Sequence, residues 1–129
     1  MARRRISHIE GINAVNAVIA SGKTLAESDT LFMTAVRYLL EELAEVAPGN
    51  SVEVRVPPLG ATQCIEGPRH TRGTPPNVVE LHPMVWFDLA LGNLSWDQAI
   101  TEHKVSASGV RASLAEALPL PLKHVERQN

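Results

Sequence analysis

Residues 80–92 read Glu-Leu-His-Pro-Met-Val-Trp-Phe-Asp-Leu-Ala-Leu-Gly. Pro83 suits the first turn of a helix, where the amide hydrogen that it lacks has no intrahelical partner. Residues 84–91 are apolar on nearly every side except at Asp88, and Gly92 is a typical residue to end a helix. Because a helix that is apolar all round is either buried or lines a cavity, we expect this helix to lie in the interior of the fold.

Two helices and a strand are predicted downstream of this helix. Ser95 and Gln98 form a capping box that begins a short helix. Residues 104–109 alternate, with valine and alanine on one side and serines on the other, which predicts a strand. A second capping box begins at Ser113 and predicts a last short helix that ends before Pro119.

Three strands are predicted upstream, with no helix between them. Residues 51–56 and 61–66 flank a Pro-Pro-Leu-Gly turn and form a hairpin, and residues 77–81 form the third strand. Strands that follow one another without helices favour an antiparallel meander. The strand at 104–109 would then join the third strand as a right-handed crossover.

Two amphipathic helices precede these strands. A capping box at Ser7 begins the first helix, and Ser28 or Asp29 caps the second. Apolar spacings of three and four predict the buried face of the first helix, which consists of Ile9, Ile12, Val15, Asn16 and Ile19. The predicted buried face of the second helix consists of Phe32, Val36, Leu39, Leu40, Leu43, Val46 and Ala47. The charged residues expected to face water on the second helix are Arg37, Glu41, Glu42 and Glu45.

Length and element order predict one α+β domain over residues 1–129, with a sheet that has helices on one face and with flexible ends at 1–5 and 120–129. The net charge of −2 disfavours nucleic acid as a partner. A single cysteine fits a reducing compartment, and no apolar run is long enough for stable membrane insertion. We therefore expect a cytoplasmic protein.

The segment 66–77 differs from the rest of the chain in composition. It reads Glu-Gly-Pro-Arg-His-Thr-Arg-Gly-Thr-Pro-Pro-Asn. Its prolines and glycines exclude a helix or a central strand, and charged loops on rigid scaffolds are common binding sites. The guanidinium groups of Arg69 and Arg72 suit a carboxylate or a phosphate, and the prolines reduce the entropy lost on binding. An equally weighted alternative is that these arginines pair with Glu66 and Glu80 and only brace the loop.

Catalytic and metal chemistry find little support in the sequence. The five histidines are scattered without the close helical spacing of a zinc site, so we expect no metal and no cofactor. Cys64 lacks a nucleophile-elbow motif and is expected to be a buried small residue. Thiol chemistry would become a third hypothesis if Cys64 and His70 met in a cleft.

Three segments resemble the second half of sterol carrier protein-2-like (SCP-2-like) domains: residues 80–92, Asn-Leu-Ser-Trp-Asp-Gln-Ala at 93–99, and Val-Ser-Ala-Ser-Gly at 105–109. Residues 67–76 are similar to the corresponding loop of small stand-alone bacterial members. The resemblance covers roughly residues 30–118. It implies a five-stranded mixed or antiparallel sheet, whose fifth strand would lie within residues 67–76.

The resemblance also implies a function. Lipid-carrying members of this family hold acyl chains or sterols in an apolar tunnel between the sheet and the helices. This chain departs from them in having few Phe and Met residues, and Pro119 and Pro121 disfavour a long lid helix; both departures argue against sterol transport.

Two functional hypotheses follow. The first is a non-enzymatic binding domain that holds a fatty-acyl or other lipid-like molecule, with its anionic head near the loop. The ligand-binding residues that this hypothesis names are Arg69, His70, Thr71, Arg72, Thr74, Trp86, Phe87 and Leu91. The second is an interaction or assembly domain, in which the loop binds a protein partner or a second copy of the chain.

Overall fold

The computed structural model describes residues 5–67 and 77–125, which fold into helices packed with one sheet. The helices are α1 (His8–Ala20), α2 (Thr30–Val46), α3 (Pro83–Leu91) and α4 (Trp96–Thr101). The strands are β1 (Val52–Val56), β2 (Gly60–Cys64), β3 (Val78–Leu81) and β4 (Val105–Ser108). This confirms the predicted α+β class. None of the helices in the described ranges combines the length and the apolar character that a membrane span requires.

The sheet is mixed, with the strand order β2-β1-β3-β4. β1 pairs with β2 as the predicted antiparallel hairpin, but β3 lies on the other side of β1 and runs parallel to it. The predicted meander is therefore wrong. The connection over residues 65–77 is long enough to return the chain to the far side of β1, and the alternation within a strand does not indicate which neighbour the strand will choose.

The last strand also differs from its prediction. β4 joins β3 as expected, but the pair is antiparallel, so the handedness rule for parallel crossovers does not apply to it. The sheet has four strands over residues 5–67 and 77–125, not the five that the resemblance implies. Gly67 is not in a strand, and the rest of the segment expected to supply the fifth strand, residues 68–76, lies outside the described residues.

The buried face of α1 is shifted from the predicted one, although Val15 is buried and Ile12 and Ile19 pack half-buried against the core. The Ser7 cap is confirmed, because its hydroxyl accepts from the Glu10 amide, but Ile9 is 77% exposed. The buried residues of α1 are Gly11, Ala14, Val15 and Val18. A Cβ added at Gly11 would lie 2.1 Å from Cδ1 of Tyr38, so this helix buries its small residues in order to approach α2 closely.

The prediction for α2 is largely confirmed. Asp29 caps the helix by accepting from the Leu31 amide. The core members of the predicted face are buried, namely Phe32, Val36, Leu39, Leu40 and Leu43. Val46, by contrast, is 42% exposed, and Glu42 is buried instead of facing water.

The two helices between β3 and β4 agree with their predictions. Pro83 stands in the first turn of α3, and Gly92 ends the helix in the left-handed conformation with φ 84°. The Ser95 hydroxyl caps α4 by accepting from the Gln98 amide. The inner face of the sheet is aliphatic and fully buried at Val52, Val54 and Val56, and it continues into the core formed by the helices.

The predicted last helix after Ser113 is absent, and residues 111–120 form turns instead. The Ser113 hydroxyl accepts from the amide of Ala115, two residues on, which does not lead into a helix. Leu114 and Leu120 are buried, and the Leu120 amide donates to the Ala90 carbonyl over 3.0 Å. The chain is thus anchored on α3 at Leu120, where the sequence predicts a flexible end.

Candidate functional site

The three apolar residues assigned to ligand binding lie together in the core. Trp86 and Phe87 are fully buried and Leu91 is 4% exposed. The Trp86 indole N–H donates to the Val36 carbonyl over 3.3 Å. The rings of Phe87 and Phe32 lie 6.4 Å apart between centroids. The contacts of Trp86 and Phe87 pack α3 against α2, and Leu91 belongs to the same core.

The polar half of the predicted site lies outside the described residues. It comprises Arg69, His70, Thr71, Arg72 and Thr74, all within residues 68–76. The described residues that flank this segment are Gly67 and Asn77, which therefore mark the stem of the loop.

Asn77 fixes one side of this stem to the sheet. Its side chain is buried, its Nδ2 donates to the Ser51 carbonyl over 2.8 Å, and its Oδ1 accepts from the Arg111 amide over 2.8 Å. Its carbonyl accepts from the amide of Glu53 on β1. A buried amide that satisfies groups from two distant segments holds the loop base in one geometry. The sequence analysis missed this role, since it identified Asn77 only as the end of the loop.

The other side of the stem is equally close-packed. A Cβ at Gly67 would lie 2.8 Å from Cβ of Ser51, so only glycine fits there without a shift. The same position is 3.8 Å from Nη1 of Arg111. The guanidinium of Arg111 is exposed and makes no ion pair within the described part of the chain. The positively charged side chain of Arg111 therefore lies beside the loop stem. No local sequence pattern indicated this position.

Glu66 and Glu80 are the carboxylates predicted to pair with the loop arginines. Glu66 and Glu80 are both exposed, and neither forms an ion pair with another residue in the ranges 5–67 and 77–125. Pairing of Arg69 and Arg72 with these carboxylates stays a prediction, because both arginines are outside the described ranges.

Cys64 is poorly placed for nucleophilic chemistry. The thiol is buried, and burial raises its pKa to about 12. Since the thiolate is the reactive form, almost none would be present near neutral pH. The structure thus confirms the prediction of a buried small residue and weakens the thiol hypothesis.

A compact polar cluster joins α1 to α2. Nδ1 of His8 lies 2.9 Å from the Tyr38 hydroxyl and 3.2 Å from Oε1 of Glu42. The ligand atoms of His8, Glu42 and Glu45 lie within 4.8 Å of one another, which is close enough for one divalent cation. The spacing of histidines in the sequence did not predict this cluster, because His8 and Glu42 meet only in the folded chain. The contacts of Nδ1 with the Tyr38 hydroxyl and with the Glu42 carboxylate explain the position of the imidazole without a metal.

Comparison with known proteins identifies one family. A family model described as bacterial SCP ortholog matches residues 28–120. The match begins just before α2 and ends at the buried Leu120, so it includes the whole described sheet and leaves α1 outside. No curated protein matches the chain. The chain therefore belongs to the bacterial sterol carrier protein (SCP) ortholog family.

Proposed function

We propose that this protein is a non-enzymatic binding domain for an amphipathic, lipid-like ligand. The observation that carries the proposal is the continuous buried apolar layer that joins the inner face of the sheet to α2 and α3. Family membership supports it, since lipid carriers with this fold hold acyl chains or sterols between these layers. The cytoplasm is the proposed location.

The apolar part of the ligand would contact Trp86, Phe87 and Leu91. All three are buried, so an acyl chain has to replace contacts within the core instead of entering an open space at these side chains. Interiors are close-packed, and an insertion of this kind requires the helices to separate. We therefore expect binding to be slow compared with diffusion and to change the environment of Trp86.

The anionic head of the ligand would lie at the loop, with Arg69 and Arg72 as its main partners. Charge-assisted bonds from guanidinium groups are among the strongest hydrogen bonds in proteins. Arg111 beside Gly67 would add a third cation at the stem. His70, Thr71 and Thr74 would supply further donors.

The experiment compares a fatty acid with the fatty alcohol of the same chain length on the delipidated protein. Combined Arg69→Ala and Arg72→Ala substitutions are expected to weaken fatty-acid binding about tenfold or more and to leave alcohol binding unchanged. Lys123→Ala removes an exposed cation elsewhere and is the matched control. Equal loss for acid and alcohol would mean that the arginines brace the loop, and failure of both ligands to bind the wild-type protein would refute the proposed function.

Assembly is the second candidate, and the exposed apolar side chains Ile9, Leu31 and Val46 favour it. In that case the helical surface or the loop would contact a second copy or another protein. Light scattering after size-exclusion chromatography distinguishes the two functions. A dimer that dissociates when Ile9 or the loop arginines are replaced supports assembly, whereas a monomer at all concentrations supports ligand binding alone.

A further inference from the structure

A cleft of about 300 Å³ opens at the end of the sheet where β3 ends and β4 begins. Since β3 runs from the loop stem at Asn77 towards this cleft, the cleft lies at the opposite end of β3 from the loop. Its lining comes from the segment after β1, the end of β3 and the start of β4, and consists of Pro57, Glu80, Leu81, His82, His103, Lys104, Val105 and Ser106.

Strand register determines how this lining is arranged. Leu81 pairs with Val105, and Glu80 pairs with Ser106, so the two pairs point to opposite faces of the sheet. Leu81 is buried and Val105 half-buried, so this pair faces the core. His82 has extended backbone angles, φ −69° and ψ 152°. Continuing the register by one residue therefore sets His82 opposite Lys104, next to Glu80 and Ser106.

Most of the polar side chains in the cleft have no partner in the ranges 5–67 and 77–125. His82 is the N-cap of α3, yet its imidazole makes no capping hydrogen bond. His103 is exposed and is held in the left-handed region with φ 57°, directly before Lys104. The Lys104 ammonium lies 3.1 Å from the carboxylate of Glu102, an exposed pair that costs little to rearrange. These groups are available to a ligand.

We propose that this cleft is a second binding site, which takes a small oxyanion such as a phosphate or a sulfate group. Lys104 supplies a permanent positive charge, and His82 and His103 supply N–H donors. His82 is the N-cap residue of α3, so the start of this helix lies beside the cleft. Lys104, His82 and His103 line one concave surface, which distinguishes the cleft from an isolated lysine.

The surrounding charges affect how strongly the cleft binds an anion. Glu80 on β3 is the carboxylate within the cleft, and Glu102 is paired with Lys104. Arg55, the register partner of Glu80 on β1, is engaged by Glu53. A carboxylate beside the ligand disfavours an anion, so removing the charge of Glu80 strengthens binding.

The test is an NMR titration with sulfate at constant pH and fixed ionic strength. Saturable shifts at His82, His103 and Lys104 are expected. Lys104→Gln should weaken binding about threefold, and Glu80→Gln should strengthen it about threefold. Lys123→Gln and His124→Asn are the matched controls, and a thermal melt of each variant verifies folding.

A combined His82→Gln and His103→Asn variant should bind sulfate about threefold more weakly while remaining folded. Titrations with inorganic phosphate and with glycerol phosphate then distinguish the source of the anion, since a phospholipid headgroup predicts tighter binding of the glycerol ester. The proposal is overturned if the shifts do not saturate, if the control variants lose as much affinity as Lys104→Gln, or if Glu80→Gln weakens binding.

Discussion

The indole N–H of Trp86 donates to the Val36 carbonyl over 3.3 Å, and both residues are fully buried. This bond ties the most apolar helix of the chain to the longest one, and it lies in the layer where we propose that a ligand binds. Trp86 is therefore a structural anchor, and a ligand that separates α3 from α2 has to break this bond.

Replacing Trp86 should destabilise the protein more than replacing the other tryptophan. Trp86→Phe removes the hydrogen bond and leaves a cavity, with an expected loss of about 2–4 kcal/mol in the free energy of unfolding. Trp96 is only partly buried, so Trp96→Phe should cost less than about 1 kcal/mol. Urea denaturation followed by circular dichroism measures both variants. If Trp86→Phe lost no more unfolding free energy than Trp96→Phe, the contacts of Trp86 would contribute little to stability.

Gly11 should not tolerate a methyl group. A Cβ there would overlap the Tyr38 ring, so Gly11→Ala should separate α1 from α2 at a cost of about 1–3 kcal/mol, despite the higher helix propensity of alanine. Asn13→Ala on the exposed side of the same helix is the control and should be neutral or slightly stabilising. A stabilising effect of Gly11→Ala in thermal or urea unfolding would contradict the observed helix contact.

Asn77 should be needed for the geometry of the loop stem. Asn77→Asp keeps the shape but cannot donate to the Ser51 carbonyl, and we expect a loss of about 1–3 kcal/mol in unfolding free energy. Amide hydrogen exchange at Arg111 should increase in Asn77→Ala, because its acceptor is lost. Asn93→Ala, which removes an exposed hydrogen bond to Asp88, is the comparison variant. Unchanged exchange at Arg111 would mean that Asn77 does not hold the two segments together.

Cys64 should make stability depend on alkaline pH. Its folded-state pKa is about 12, raised from 9.0 by burial, so the unfolded chain loses this proton at lower pH than the folded one. The contribution of the protonated Cys64 thiol to the free energy of unfolding is fully present below about pH 9 and is lost as the pH rises towards 12. Wild type should therefore lose stability more steeply than Cys64→Ala between pH 8.5 and pH 10.5. If the unfolding free energies of the two proteins changed in parallel with pH, the Cys64 thiol would be more exposed to solvent than the structure shows.

The sequence correctly predicted those features of the fold that depend on contacts between neighbouring residues. The predicted helix caps at Ser7 and Ser95 are confirmed, because a cap depends only on the next three residues. The box at Ser113 failed because the segment before Pro119 is too short to offset helix nucleation, while burial of Leu114 and Leu120 favours turns. The choice of β1 as the neighbour of β3 depends on a long connection, and no local pattern contains that information.

The candidate site also has a part that the sequence could predict and a part that it could not. Trp86, Phe87 and Leu91 could be grouped from one helix, and they do lie together. The bond between Asn77 and Arg111 joins residues 34 positions apart, and the cluster of His8 with Glu42 joins two helices. Such contacts arise from the tertiary fold, so the sequence could indicate the apolar wall of the site but not the residues around the loop stem.

The most direct test of ligand binding is the NMR signal of the Trp86 indole N–H during titration of the delipidated protein with a long-chain fatty acid. We predict a saturable change at one equivalent in which the Trp86 signal moves or is replaced, while the Trp96 indole signal stays within the range of a buffer control. An unchanged Trp86 signal up to the solubility limit of the fatty acid would contradict the proposal that this layer receives a lipid-like ligand.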